Sequence, residues 1–236
     1  MLDQPAISAS IIISAIATAI VTWLGYHRTT QTFGNRKISS SIWVGIFLAG
    51  WLATAMILGA QGFFLPNPEQ QVPSIAYSAI PLVIGYLFLF ASKSFQENVD
   101  AIPPHWIIGV QLYRILGIDF LILYFQHQIP GVFALPAGIG DVLVGITAPL
   151  VAYLYLRRHP SARTAAIIWN IAGIFDLTLA VTLGVLSSPG PLQLLAIQSP
   201  NELITAYPLV LVPVFAVPLS ILLHLFSLRV LLSKKI

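Results

Sequence analysis

Apolar positions come in seven long runs, at about residues 6–26, 41–65, 74–92, 105–127, 131–156, 163–187 and 203–230, and most charged positions fall in the short stretches between them. A bilayer's hydrocarbon core is about 30 Å thick and takes about 20 apolar residues of helix to cross. The pattern predicts an all-α integral membrane bundle of seven helices, a single domain over residues 1–236. The gap from His127 to Pro130 fits a tight hairpin between the fourth and fifth helices.

Composition sharpens this reading. Of the 236 residues, 57% are hydrophobic and 8% charged, and the mean hydropathy is +0.88. A soluble domain carries about a quarter charged residues, so this chain takes lipid as its solvent. The net charge of +3 would suit nucleic acid as a partner, but the basic residues sit at segment ends, which points to the bilayer instead. The absence of cysteine excludes disulfides, thiolate chemistry and Cys-ligated metal. The start, MLDQP, has no basic residue before the first apolar run, so that run is expected to stay as a helix rather than be cleaved as a signal peptide.

Charge sets the expected orientation. Arg28, Arg36 and Lys37 lie in the first connection, Lys93 in the third, Arg157, Arg158 and Arg163 in the fifth, and Arg229, Lys234 and Lys235 at the C-terminal end. Ten of the eleven basic residues thus share one side, which the positive-inside rule makes cytoplasmic. The N-terminus is expected outside and the C-terminus inside, in a plasma or bacterial inner membrane. Asp3, Glu69 and Glu202 fall outside, and Glu97 and Asp100 inside.

Four charges remain in the apolar runs. Asp119 stands in RILGIDFLILY with Arg114, Asp141 in PAGIGDVLVGI, and Asp176 in NIAGIFDLTLA, each acid one to three residues after a Gly. A charge at mid-bilayer costs about 2.5–3.5 kcal/mol on insertion scales, so each must be paired, protonated or wetted. Counted from the segment ends, the three acids fall at similar depth. Arg114 and Asp119 are five residues apart, roughly 140° around a helix, so Arg114 is expected to meet Asp141 or Asp176 instead. Asn170 and Gln111 are placed to join. Two roles stay open: a buried ionic network that fixes packing, or a proton or cation site in which one acid exceeds the available positive charge.

Other features bear on these alternatives. Ser10, Ser14, Thr18 and Thr22 form a hydroxyl stripe on the first helix, a packing seam or a pore lining, with Gly45, Ala49 and Ala53 as its expected partner. Pro136, Gly138 and Gly140 predict a distorted start to the fifth helix, as at transporter sites, or else a small-residue packing stripe. Pro208, Pro213 and Pro218 predict kinks in the seventh. Ser199 to Glu202 reads as a capping box, and Leu192 to Ile197 as a short interfacial helix. His224 is placed near the inner interface beside His27 and His105, and Ser220 and His224 share a face away from the acids. No cofactor and no metal site is expected, and no HExxH or phosphate-cradling Gly loop is present.

Seven helices with this orientation also resemble the topology of retinal proteins and G-protein-coupled receptors, but the last helix lacks a Schiff-base lysine, and the paired Pro-Gln motifs of sugar-transporter-like proteins are absent. The chain is expected to be a small-solute or proton/cation transporter acting through Asp119, Asp141, Asp176, Arg114, Asn170 and Gln111. The alternative is a non-catalytic scaffold or sensor subunit whose buried charges are structural.

Overall fold

The computed structural model describes residues 4–31, 35–67 and 73–233, with side chains omitted at 35–39, 89, 90 and 94. Asp3, Glu69, Lys234, Lys235 and the side chains of Arg36 and Lys37 lie outside the described residues. The described residues form helices and turns only: α1 (Pro5–Gln31), α2 (Asn35–Ala60), α3 (Ala79–Ala91), α4 (Lys93–Ala101), α5 (Pro104–Val110), α6 (Ile118–Phe125), α7 (Gly131–Leu156), α8 (Ala162–Ser187) and α9 (Val217–Ser233). A 3-10 segment, Ser74–Ser78, leads into α3, another, Gln111–Gly117, joins α5 to α6, and a π turn, Val212–Ala216, leads into α9.

Six helices are long and apolar enough to cross a membrane: Pro5–Gln31, Ser40–Ala60, Pro104–Phe125, Gly131–Leu156, Ala162–Ser187 and Val212–Ser233. The stretch expected to form a third full span is shorter, with its apolar helix covering Ser74–Phe88. The last span is the centre of the bundle: 67% of its apolar stretch is buried, against 22–44% for the others. It packs on α8, α5 and α3, while α7 packs on α8 and on the whole α5–α6 span.

Helix ends are set by local hydrogen bonding. Gly62, His127 and Arg158 take positive φ. In each case the next amide reaches back five residues, as from Gln128 to the Leu123 carbonyl at 2.9 Å and from His159 to Leu154 at 3.0 Å. These Schellman turns satisfy the last carbonyls of α2, α6 and α7 and reverse the chain abruptly. The second of them makes the expected hairpin before Pro130.

Several sequence expectations are corrected. The fifth span is not broken: α7 is continuous through Pro136 and Pro149. Pro136 falls in the second turn, where its missing N–H would have met a carbonyl of the first turn at the helix end. The break lies instead in the fourth span, as the 3-10 segment. The last helix does not start at a capping box: Ser199 to Glu202 makes no such cap, Leu203–Thr205 is a short 3-10 turn, and continuous helix begins near Leu211. Leu192 to Ile197 forms turns rather than a helix. On α2 the buried face is Leu48, Trp51, Leu52 and Ala55, whereas Ala49 and Ala53 are exposed. Of the expected small-residue seam Gly45 does approach α1, where a Cβ would overlap the Trp23 ring, while larger side chains, with Trp51 reaching the centre of the bundle, take the place of Ala49 and Ala53.

Of the three prolines expected to kink the last helix, Pro208 lies in a turn before it, Pro213 falls in the π turn and Pro218 in α9. Pro218 has no N–H for the Val214 carbonyl four residues earlier. The Trp51 indole donates to that carbonyl at 3.0 Å. In an apolar surround such a carbonyl has no water to turn to, so α2 supplies what the proline removed.

Candidate functional site

Six elements build the site. The 3-10 segment Gln111–Gly117 sets its first side chain. At three residues per turn, positions three apart eclipse, so Gln111, Arg114 and Gly117 line up on one face. All three are buried, while Leu112 and Leu116 are exposed. An α-helix would have fanned them out.

The recurring Gly-before-Asp pattern has a steric meaning. A Cβ at Gly117 would overlap Asp141 of α7, one at Gly140 would overlap the Asp176 carboxylate of α8, and one at Gly173 would overlap the His224 ring of α9. The glycine on each helix is thus a bay for the ionisable side chain of the next. Only a residue without Cβ lets backbone and charged group approach this closely.

Arg114, 3% exposed, is the hub. Its Nε donates to Asp141 Oδ1 at 2.7 Å, and its Nη2 donates to Asp176 Oδ2. Its Nη1 lies 3.1 Å from His224 Nε2. Guanidinium only donates, so Nε2 must accept and the ring proton sits on Nδ1. The far side agrees. Asn170 Nδ2 donates to the Ala166 carbonyl at 2.7 Å and to Ser227 Oγ at 3.0 Å, which turns its Oδ1 to accept from His224 Nδ1 at 2.9 Å. One backbone carbonyl on α8 therefore fixes an amide, the amide a tautomer, and the tautomer a lone pair on Arg114.

The predicted residues separate into groups. Arg114, Asp141 and Asp176 meet directly. Asn170 joins through His224. Gln111 does not touch Arg114 but braces the last span, donating to the Ser220 carbonyl at 3.2 Å and accepting from Ser220 Oγ at 2.9 Å. Asp119 stands apart, accepting from Ser10 Oγ of α1 at 2.8 Å. His224 was placed away from the acids by sequence; it belongs to the cluster. Its signal was the polar stripe Ser220, His224 and Ser227, every member of which is 0–1% exposed. Asp141, Asp176 and His224 converge on Arg114 rather than on one another, and among the described residues no group of three His, Asp or Glu is arranged to hold a metal.

Two spaces reach these groups. A small chamber of about 50 Å³ is bounded by Ser14, Tyr113, Arg114, Asp119, Asp141 and Ser220. A water needs roughly 10–15 Å³ by this measure, so the chamber has room for a few. A larger cavity of about 380 Å³ extends from Asp141 past Phe120 and Phe133 to Pro66, Ser188 and Ile204, at the end of the bundle remote from Arg157 and Arg163. Asp141 lines both spaces.

Described residues that are all helix and turn, with six membrane-length apolar helices and an ionic cluster among them, have the make-up of a multi-pass membrane protein. The chain belongs to the family described as Domain of unknown function (DUF8737), which matches residues 71–232 and so contains Arg114, Asp141, Asp176, Asn170 and His224 but not Ser10. Short stretches are similar to the pyruvate dehydrogenase E1 component alpha subunits of Staphylococcus epidermidis (35% identity over 75 residues, 30% of this chain and 20% of that protein). The subunits of Bacillus cereus (34% over 73 residues, 30% and 19%) and Staphylococcus aureus (33% over 75 residues, 30% and 20%) match in the same way. The chain spans about a fifth of the length of these relatives, too little to bring an activity with it. No solved structure matches.

Proposed function

We propose that the protein is a transporter of a proton, a small cation or a small solute in a plasma or bacterial inner membrane. In this reading it crosses seven times as one domain, with its N-terminus outside and its C-terminus in the cytoplasm. The observation that carries the reading is the position of Asp141 at the junction of two spaces, the 380 Å³ cavity and the chamber it shares with Asp119. Arg114 carries one positive charge against two carboxylates in contact. With both ionised the site holds one excess negative charge, and one proton or monovalent cation balances it. Asp119 offers a second carboxylate across the chamber, with the hydroxyls of Ser10 and Ser14 beside it.

The test is flux of protons and of monovalent cations into liposomes carrying the wild type, Asp141→Asn or Asp119→Asn. Flux in the wild type and a fall of about tenfold or more in Asp141→Asn, as when a group worth over 1.4 kcal/mol is lost, supports the reading. Equal flux in wild type and Asp141→Asn sinks it. The saturation of Arg114, with Nε, Nη1 and Nη2 all engaged, favours a second reading in which the cluster only locks the bundle. That reading expects exchange of Arg114 and Asp141 for one another to preserve assembly and activity alike.

A further inference from the structure

A cavity of about 580 Å³ lies away from the ionic cluster, walled by α1, α2, α3, α4, α5 and α9. It falls in the size range of sites that enclose a small ligand, about 300–1,000 Å³. Its walls are apolar, with aromatic rings among aliphatic side chains. Trp43 on α2 and Phe88 on α3 line it while being 67% and 56% exposed, and α2 and α3 pack little on each other. The cavity therefore has a side entrance facing the bilayer. An empty space of this size forfeits the dispersion contacts of its whole lining, and apolar walls do not hold water. Hydrocarbon is what fits.

Two basic residues stand near its lining. The Arg28 guanidinium lies 5.7 Å from the ring centroid of Trp106, which lines the cavity. Lys93 comes directly after Ser92, which also lines it. Deeper in, Thr22 lines the wall with a buried hydroxyl that has no hydrogen-bond partner. Thr22 is six residues from Arg28, about 9 Å along a helix. We infer that the cavity is a binding site for one anionic phospholipid from the leaflet at the Arg28 end. One acyl chain runs in toward Trp51, the phosphate lies by Arg28 and Lys93, and a glycerol ester carbonyl accepts from the Thr22 hydroxyl. This assignment is independent of which reading of the ionic cluster holds.

The test uses tryptophan quenching by vesicles of phosphatidylglycerol brominated on its acyl chains. Full-length proteins keep one tryptophan each, Trp43, Trp51 or Trp169, the others being replaced by Phe. Trp51 and Trp169 are equally shielded, at 9% and 8% exposure, but only Trp51 lines the cavity. Trp51 is expected to be quenched nearly as strongly as Trp43, and Trp169 weakly. Gly25→Leu then fills the cavity. A Cβ there first meets Trp106 at 3.7 Å, an ordinary contact, so the first atom of the new side chain is accommodated. Val44→Phe fills it from α2. Each is expected to abolish most of the Trp51 quenching while leaving Trp43 unchanged, which also reports an intact fold. With wild-type residue 28, phosphatidylglycerol should outcompete phosphatidylcholine, and Arg28→Gln should reduce that preference about fivefold, one basic residue's attraction to an anionic lipid. Trp51 quenched no more than Trp169, or quenched as before in both filled variants, overturns the site. An unchanged preference in Arg28→Gln overturns the headgroup assignment.

Discussion

Arg114 holds two acids with one charge, and that imbalance decides how substitutions at the cluster act. Asp141→Asn leaves an ion pair of Arg114 with Asp176, and the new amide oxygen still accepts from Nε. Asp176→Asn is equivalent. Arg114→Gln instead leaves two half-buried carboxylates together with no cation, close to the situation in which breaking a buried pair costs about 3–5 kcal/mol. Either Asp→Asn variant is expected to stay within about 1.5 kcal/mol of wild type, the scale of an ordinary hydrogen-bond adjustment. Detergent unfolding midpoints of the three variants check this. A larger loss in Asp141→Asn than in Arg114→Gln would mean the cluster is not acid-rich. The acids and Arg114 were legible in the sequence because ionisable groups inside apolar runs are costly and stand out. His224 was not, because its depth was counted from a last span over 203–230. Irregular backbone occupies the first part of that stretch, and the membrane-length helix is Val212–Ser233. That shift carries His224 from near one end to the middle of the span.

At the level of elements, the seven apolar runs and the hairpin at His127 were readable from pattern and turn chemistry. The 3-10 segment was not. Gln111–Gly117 contains nothing that excludes an α-helix, and its geometry answers to the neighbours that Gln111, Arg114 and Gly117 must face at once. The continuity of α7 through Pro136 was equally hidden, since the cost of a proline depends on where the helix starts. The prolines of the last span were readable, but not how their freed carbonyls would be satisfied. Trp51 and Pro218 are therefore expected to be coupled. Trp51→Phe alone strips the Val214 carbonyl of its donor and costs about 1–3 kcal/mol. Pro218→Ala restores a main-chain N–H, so in that background the cost of Trp51→Phe should drop by about 1 kcal/mol or more. A double-mutant cycle on unfolding free energy reads the coupling directly, and additive effects would remove Trp51 from this role.

For the whole molecule, the open quantity is the number of crossings, which turns on α3. Its helix is short, but the five 3-10 residues and thirteen α residues of Ser74–Ala91 rise about 30 Å together, one bilayer core. The contacts of α4 point the same way. Asn98 of α4 donates to Tyr26 at 3.0 Å near the end of α1, and Asp100 accepts from Arg229 near the end of α9 at 2.8 and 2.9 Å. Residues 61–67 lie past the opposite end of α2. The proposed seven crossings take this segment as a full span between them. Because no cysteine is present, single cysteines can be introduced without removing any. Asn67→Cys and Gln128→Cys are expected to react with a membrane-impermeant maleimide on intact cells, and Lys93→Cys and Ser161→Cys only after permeabilisation. Labelling of both Asn67→Cys and Lys93→Cys from outside would leave α3 as a re-entrant segment and reduce the crossings to six. Labelling of the Lys93 and Ser161 variants and of neither the Asn67 nor the Gln128 variant would invert the protein, placing the 380 Å³ cavity on the cytoplasmic side and reversing the face from which Asp141 is reached.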